Sequence, residues 1–142
     1  MRPTLLGMCS KTGRALLPST SGRASAADRL LAMSGLTRPK FMAAFRRKNL
    51  LPGKEWDRRR ARRSARRIKL RGDVVVLGKS VWAALGLPDA AFFSTVESGD
   101  ATFVLVPHPS GRCCLYNDAV ARRATGRLLR RLATFPASCR KL

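Results

Sequence analysis

The amino-acid sequence predicts a small three-layer α/β/α sandwich whose central sheet has four mostly parallel strands. Two short and largely apolar runs carry this prediction, at residues 73–77 (DVVVL) and 102–107 (TFVLVP). Strands buried on both faces of a parallel sheet read as continuous β-branched and aliphatic runs of this kind. Two further candidate strands lie at 3–8 and 49–51, and helical patterns separate all four. Such alternation of strand and helix is typical of a layered α/β fold.

The first half of the chain contains the signals of two helices between two strands. Residues 3–8 form a short apolar strand that ends in a glycine turn. Ser25 is placed to cap a helix that closes at Gly35, and Thr37 is placed to cap a second helix with a proline in its first turn. Residues 49–51 then predict a brief strand before the next turn.

Residues 56–71 predict a helix of unusual charge. Ala61, Ala65 and Ile68 recur at helical spacing and form a narrow apolar stripe. A run of charge is usually a solvated face, but such faces mix the two signs, and here no acid lies between Asp57 and Asp73. The uniform charge therefore favours contact with a phosphate backbone. The candidate contacts are Arg59, Arg62, Arg63 and Arg66.

The second half continues the same alternation. The strand at 73–77 ends at a glycine, a helix is predicted at 79–85, and residues 92–96 read as a connector or a weak edge strand. After the strand at 102–107, a last helix begins near residue 117 and ends before Pro136. Its predicted buried face consists of Val120, Ala124, Leu128 and Leu132.

The chain is strongly basic for its size. Its 142 residues include 29 Lys and Arg against 8 Asp and Glu, a formal net charge of +21. The length fits one domain, predicted for residues 1–135 and followed by a short basic tail at 136–142. Positive charge of this size opposes a compact fold through self-repulsion and attracts polyanions. Arginine outnumbers lysine and suits phosphate, so nucleic acid is the expected partner.

Membranes, metals and targeting segments find less support. No apolar run is long enough for a membrane span, and no stretch joins a long apolar face to a basic one. The first 27 residues lack acids, as transit peptides do, but they include a candidate strand and are assigned to the fold. The cysteines are not spaced as zinc or iron–sulfur ligands, so we expect reduced thiols, no metal and no cofactor. They are Cys9, Cys113, Cys114 and Cys139.

The only histidine of the chain directly follows the strand at 102–107. Pro107 ends that strand because proline has no N–H for a continuing ladder, and His108 opens a His-Pro-Ser-Gly turn. Open α/β sheets bind ligands beyond the carboxyl ends of their strands, so His108 is a candidate site residue. The alternative is a Pro/Gly turn with an incidental surface histidine.

Residues 106–111 (VPHPSG) resemble the second signature motif of the uracil-DNA glycosylase superfamily, in which His-Pro-Ser or Asn-Pro-Ser closes over a flipped-out base. Residues 112–118 (RCCLYND) are similar to the continuation in bacterial and phage-type members, where an aromatic-Asn-Asp run leads into the last helix. The helix pair before residue 49 and the Val-Leu-Gly at 76–78 resemble further segments of the family. The resemblance therefore spans most of the chain.

This resemblance implies roles for individual residues. Cys9 stands where the first family motif has an Asp, Asn or Glu that positions or activates the attacking water, and a thiol does neither task well. Asn49 would hydrogen-bond the base edge beside Gly7 and Met8 of the first motif, and His108 would stabilise the departing base anion. The implied DNA contacts are Ser110 and Gly111 to phosphate, with Arg112 or Leu115 filling the gap in the duplex.

The resulting expectation is a monomeric, cytoplasmic and nucleoid-associated protein that binds DNA and excises uracil or a related damaged base. The reaction would hydrolyse the N-glycosidic bond, with no cofactor and no metal. One alternative is a catalytically weak or inactive relative that keeps the fold and binds nucleic acid through its arginines. The other is a basic RNA- or ribosome-associated protein in which His-Pro-Ser-Gly is a coincidence.

Overall fold

The computed structural model describes residues 1–9, 25–53, 55–110 and 113–135 as a mixed α/β structure. Its described strands are β1 (Thr4–Gly7), β2 (Arg46–Asn49), β3 (Gly72–Leu77), β4 (Thr95–Ser98) and β5 (Ala101–Val106). Its described helices are α1 (Ala26–Ser34), α2 (Arg38–Ala44), α3 (Arg58–Arg67), α4 (Lys79–Ala84) and α5 (Ala119–Thr134), with a 3-10 turn at Cys114–Asn117. The predicted tail at 136–142 lies outside the described residues, as do Gly111, Arg112 and Cys139.

All five described strands form one sheet in the order β2-β1-β3-β5-β4. Neighbouring strands from β2 to β5 pair in parallel, and β4 pairs with β5 antiparallel. The chain leads from β1 to β2 on one side and then crosses back to β3 on the other side of β1. The direction in which strands are added to the sheet therefore reverses at β1. In open α/β sheets such a reversal creates a crevice at the carboxyl ends of the two strands concerned.

The prediction of a mostly parallel sheet is confirmed, but the predicted count of four strands is wrong. The additional strand is β4, in the region predicted as a connector or weak edge. Three of its four residues are exposed, so it lacks the apolar run that marks a buried strand. Its pairing depends on the turn that joins it to β5, which local hydrophobicity does not indicate.

Both faces of the sheet are covered, which confirms the three-layer arrangement. In β3, Val74 and Val76 pack with residues of α3 and α4, whereas Val75 and Leu77 pack with residues of α1, α2 and α5. The other parallel strands of the centre alternate in the same way. This double burial explains why β3 is apolar at successive positions rather than at every second one.

The strand predicted at 49–51 is shifted, because β2 covers Arg46–Asn49. Leu50 and Leu51 are buried just beyond its end, where their N–H groups donate to the carbonyls of Gly7 and Met8 at 2.9 and 3.0 Å. The strand itself is at the sheet edge and carries basic side chains, which protect an edge against further pairing. The apolar signal in the sequence therefore marks the residues after the strand.

Acidic residues cap or begin three of the helices. Ser25 caps α1 as predicted, and Asp28 completes a capping box: the Ser25 hydroxyl accepts from the Asp28 N–H at 3.2 Å, and the Asp28 carboxylate accepts from the Ser25 N–H at 2.7 Å. Asp57 caps α3 and Asp118 caps α5, each accepting a backbone N–H. A carboxylate at this position satisfies an orphan donor and interacts favourably with the helix dipole.

The predicted buried face of α5 is partly correct, since Leu132 is buried and Leu128 packs against the core. Val120, however, is 65% exposed, and four residues of α5 are buried. They are Thr125, Gly126, Leu129 and Leu132. The helix approaches α1 closely at Gly126, where an added Cβ would lie 2.3 Å from the carbonyl oxygen of Met33. The glycine therefore sets the rotation of the helix, and the Arg130 guanidinium donates to the Ser34 carbonyl at 3.0 Å at the same contact.

Candidate nucleic-acid interface and sheet-edge site

Helix α3 presents a dense layer of arginine to solvent. Seven of its ten residues are arginines, and all seven are exposed. The helix packs on the sheet through the fully buried Ala61, and the Ser64 hydroxyl donates to the Leu50 carbonyl. Because small side chains make the packing contacts, the basic side chains stay free of the core. The four predicted phosphate contacts, Arg59, Arg62, Arg63 and Arg66, are all among the exposed positions.

The charge density of α3 is close to that of duplex DNA. A helix of this length extends about 15 Å at ~1.5 Å per residue. Duplex DNA carries one negative charge per ~1.7 Å of axis, or about nine charges over the same length. The cap residue Asp57 lies at the start of the helix, where hydrogen bonding to the Arg60 N–H lowers the pKa of its carboxyl group. The body of α3 therefore presents positive charge alone.

A groove of about 320 Å³ separates α3 from α4. Its lining includes an indole, a hydroxyl and three cationic side chains. These residues are Trp56, Arg58, Arg62, Lys79 and Ser80. The ammonium group of Lys79 lies 5.5 Å from the ring centroid of Phe92, a cation–π contact that limits its freedom. Sequence reasoning missed Lys79 and Trp56 as site residues, although Lys79 directly follows the glycine that ends β3.

The carboxyl ends of β1, β3 and β5 place three sequence-predicted segments at one edge of the sheet. The register aligns these strands, so Cys9, Gly78 and His108 follow them at the same edge. Gly78 has φ +94°, and a Cβ built on it would lie 3.2 Å from Cβ of His108. Since β3 lies between β1 and β5, the backbones at Cys9 and His108 are about two strand spacings, or ~10 Å, apart.

His108 is held in one tautomer by its own loop. Its Nδ1 accepts a hydrogen bond from the Ser110 N–H at 3.2 Å, so the proton of the neutral imidazole is on Nε2. The side chain is half-buried, and desolvation lowers the pKa of His108 below its ordinary value of 6.5. At neutral pH the residue therefore offers an N–H donor without a full positive charge.

A buried tyrosine anchors the histidine loop to α5. The Tyr116 hydroxyl donates to the Pro107 carbonyl at 2.7 Å, and the Thr125 hydroxyl of α5 donates to the Tyr116 oxygen at 3.4 Å. Burial raises the pKa of Tyr116 to about 12, so the phenol stays protonated and keeps donating at physiological pH. The residue before His108 is thus fixed to the helix layer.

Of the predicted base-binding residues, Gly7 and Met8 lie at the end of β1, whereas Asn49 lies on β2, on the far side of β1 from His108. Asn49 ends β2 directly opposite Gly7 in the parallel register and is half-buried. Met8 follows Gly7, and its carbonyl accepts the Leu51 N–H. Three strand spacings, about 14 Å, separate the backbone at Asn49 from that at His108. The two residues therefore lie on opposite sides of the crevice at β1 and β3.

The remaining predicted contacts lie near the histidine loop. Ser110 is half-buried, whereas Leu115 is 46% exposed on the 3-10 turn. Gly111 and Arg112 are outside the described residues. Over the described ranges, Cys113 and Cys114 are thiols rather than disulfides, and no group of three or more His, Cys, Asp or Glu side chains is placed to hold a metal ion. No helix in these ranges could span a membrane.

Neither a scan against models of known protein families nor a search of curated proteins found a match to this sequence.

We expect the stability of the protein to fall as the pH drops below about 6.5 because of His108. Its folded pKa is lowered, so the unfolded chain takes up a proton first, and stability decreases with falling pH wherever the unfolded state binds more protons. The loss should begin near the unfolded pKa and end below the folded one. Urea unfolding of the parent and of His108→Gln from about pH 8 to about pH 5 measures the effect. The free energy of unfolding of the parent minus that of His108→Gln should be constant above pH 6.5 and should decrease as the pH falls below it. A difference that does not depend on pH would contradict the assignment.

Proposed function

We propose that the protein binds DNA, with the phosphate backbone lying along α3 and the adjoining groove. The observation that carries this proposal is the uninterrupted layer of exposed arginines on a helix that buries only small side chains. Arg58 and Arg62 belong both to this helix and to the groove that contains Lys79. One polyanion could therefore contact α3 and the start of α4 together. Such binding is driven mainly by release of counterions and depends little on base sequence.

The salt dependence of binding tests this proposal. Replacing Arg59, Arg62, Arg63 and Arg66 by alanine should reduce the slope of log K against log salt by about 3.6, since each of the four phosphate contacts contributes ~0.9. The measurement is fluorescence anisotropy of a labelled duplex at several salt concentrations. Alanine also favours helix, so α3 should remain folded.

A matched control removes the same charge elsewhere. The exposed residues Arg2, Arg38, Lys40 and Arg71 lie outside α3 and the groove beside it, and their replacement by alanine should reduce the slope much less. Equal slopes for the two variants would show that net charge, rather than α3, governs binding. A parallel titration with RNA duplex at matched salt separates DNA binding from the RNA-associated alternative.

Base excision at the sheet edge is a second candidate function. The observation that favours it is the neutral His108 with its proton on Nε2, at the carboxyl edge of a sheet with a switch point at β1. In the proposed reaction, water bonds to the anomeric carbon as the N-glycosidic bond breaks. The bonding electron pair leaves with the base, and the Nε2–H of His108 donates to a base oxygen as negative charge grows there. The proton lost by water finally neutralises the base.

The separation of Asn49 and His108 suits this second function. Their backbones are about 14 Å apart along the carboxyl end of the sheet, so a planar base bound in the crevice between β1 and β3 would lie between them. Asn49 can then pair with one edge of the base while His108 contacts an oxygen on the other. Loss of DNA binding would remove both functions, whereas binding without excision would identify the weak or inactive relative.

Cys9 is expected to limit any excision rate. It follows β1 at the same edge as His108, where an amide or carboxylate could orient the attacking water and a thiol does so poorly. Replacing Cys9 by Asn or Asp should therefore raise the single-turnover rate on uracil-containing duplex by about a hundredfold or more. Cys9→Ser, which introduces a shorter polar group, is the control. Folded variants that excise no faster than the parent would show that Cys9 does not occupy the water-positioning place.

A further inference from the structure

A second arginine-rich surface lies on α5. Five arginines occupy exposed positions from the fourth to the thirteenth residue of this 16-residue helix. They are Arg122, Arg123, Arg127, Arg130 and Arg131. No residue within the helix is acidic. The nearest acid, Asp118, is the N-cap, and its carboxylate accepts the Val120 N–H at 2.9 Å. Like α3, α5 therefore presents only positive charge to solvent.

The internal hydrogen bonds of these arginines do not neutralise them. The Arg122 guanidinium donates to the carbonyls of Tyr116 and Asn117, and that of Arg130 donates to the carbonyl of Ser34. A carbonyl is neutral, so each guanidinium keeps its full charge and its other N–H donors. Arg127 and Arg131 are exposed on the outer part of the helix. The surface thus retains the charge needed to attract phosphate.

The two basic helices lie on opposite faces of the sheet. Ala61 of α3 belongs to the core cluster that contains Val74 and Val76, whereas Leu129 of α5 belongs to the cluster that contains Val75 and Leu77. Two helices, each about 10 Å across, and the sheet between them put the outer surfaces roughly 30 Å apart. A straight duplex that lies on α3 therefore cannot also contact the outer surface of α5.

We propose that one molecule binds two DNA duplexes at once, one on α3 and one on α5, and so bridges them. This inference rests on the proposed DNA binding by α3 and adds a second surface with its own duplex. The partner is a duplex because a stiff polyanion matches a straight row of guanidinium groups and because its charge complements both helices. The predicted consequence is cross-linking of separate DNA segments by a single folded domain.

A capture assay tests the bridge. One duplex is fixed to beads, the protein is added below saturation, and a second, fluorescent duplex is offered after washing. The parent should retain the fluorescent duplex. A first variant carries Arg59, Arg62 and Arg66→Glu in α3, and a second carries Arg123, Arg127 and Arg131→Glu in α5; both leave the structural arginines Arg122 and Arg130 in place. Each should still bind one duplex by anisotropy but capture at least tenfold less of the second.

Charge-matched controls separate bridging from condensation by net charge. A third variant carries Arg2, Arg38 and Lys40→Glu, exposed positions outside both helices, and should capture nearly as well as the parent. Capture that falls equally in all three variants, or in neither helix variant, would overturn the inference. Light scattering of the protein alone gives its mass. A dimer carries two copies of α3, so a dimer that still bridges after the α5 changes would assign both duplexes to α3 and overturn the inference.

The same titrations distinguish the failure of each proposal. A parent that binds one duplex by anisotropy but captures no second duplex overturns the bridge and leaves DNA binding by α3 intact. A parent that binds no duplex at moderate salt overturns both. Thermal melting of every variant by circular dichroism shows that the lost signal does not come from unfolding.

Discussion

Gly126→Ala is expected to destabilise the protein by about 3 kcal/mol, at the upper end of the range for overpacking a close contact. A Cβ at this position would lie 2.3 Å from the Met33 carbonyl oxygen, a backbone atom that can move only if α1 moves with it. In an open helix the same substitution would stabilise by up to about 1 kcal/mol, so the sign of the effect reports the helix contact directly. Separation of the helices would also disturb the hydrogen bond from Arg130 to Ser34.

Urea unfolding of the parent and the variant measures this change. Arg127→Ala, at the adjacent exposed position of α5, is the matched control and should alter stability by no more than about 0.5 kcal/mol. Because the two residues are neighbours in one helix, both variants report on the same turn of α5. A Gly126→Ala protein that is as stable as the parent would show that α1 and α5 can separate at little cost.

His108→Ala is expected to reduce the excision rate by about a hundredfold or more, the usual cost of removing one donor that acts on developing charge. The donor is the Nε2–H, which is available because Nδ1 is occupied by the Ser110 N–H. Its interaction with the base oxygen strengthens as the glycosidic bond breaks, so the variant should lower the rate of the chemical step while DNA affinity changes little. The affinity is assigned to the arginines of α3 and α5, on other parts of the molecule.

Single-turnover excision, duplex affinity and thermal melting should be measured together for this variant. His108→Gln keeps a side-chain donor and should recover part of the rate, and Cys114→Ser, at an exposed position of the 3-10 turn, should leave the rate unchanged. An unaltered rate in His108→Ala would remove this residue from the site. A parent that excises no base from a panel of lesions would refute the excision proposal and leave DNA binding to be judged by its own test.

Features that depend on nearby residues were predictable from the sequence. The apolar runs of β3 and β5 identify strands buried on both faces, and the capping box at Ser25 fixes the start of α1. The stripe containing Ala61 correctly assigns the buried side of α3. Each of these follows from side chains a few residues apart, where backbone geometry alone determines which groups meet.

Features set by distant contacts were not predictable in the same way. The rotation of α5 depends on the approach of Gly126 to α1, which the helix sequence does not contain, and β4 is a strand only because β5 is beside it. At the site, the position of His108 follows from the rule for strand ends. The groove that includes Trp56 and Lys79 requires α3 and α4 to pack on the same face of the sheet, which depends on contacts between residues distant in the sequence. The roles of Cys9 and Asn49 stay predictions.

The position of β1 between β2 and β3 has a consequence for how the chain folds. Leu5 pairs with Arg47 on one side and with Val75 on the other, so β1, which is synthesised before both of its neighbours, must wait for most of the sheet to follow. Non-local pairings of this kind slow folding, because the entropy of closing the long loops is lost before any contact compensates for it. Helices α1 and α2 can form while β1 is still unpaired. We therefore expect the rate of folding to be set by the arrival of β3, the strand that first encloses β1 on both sides.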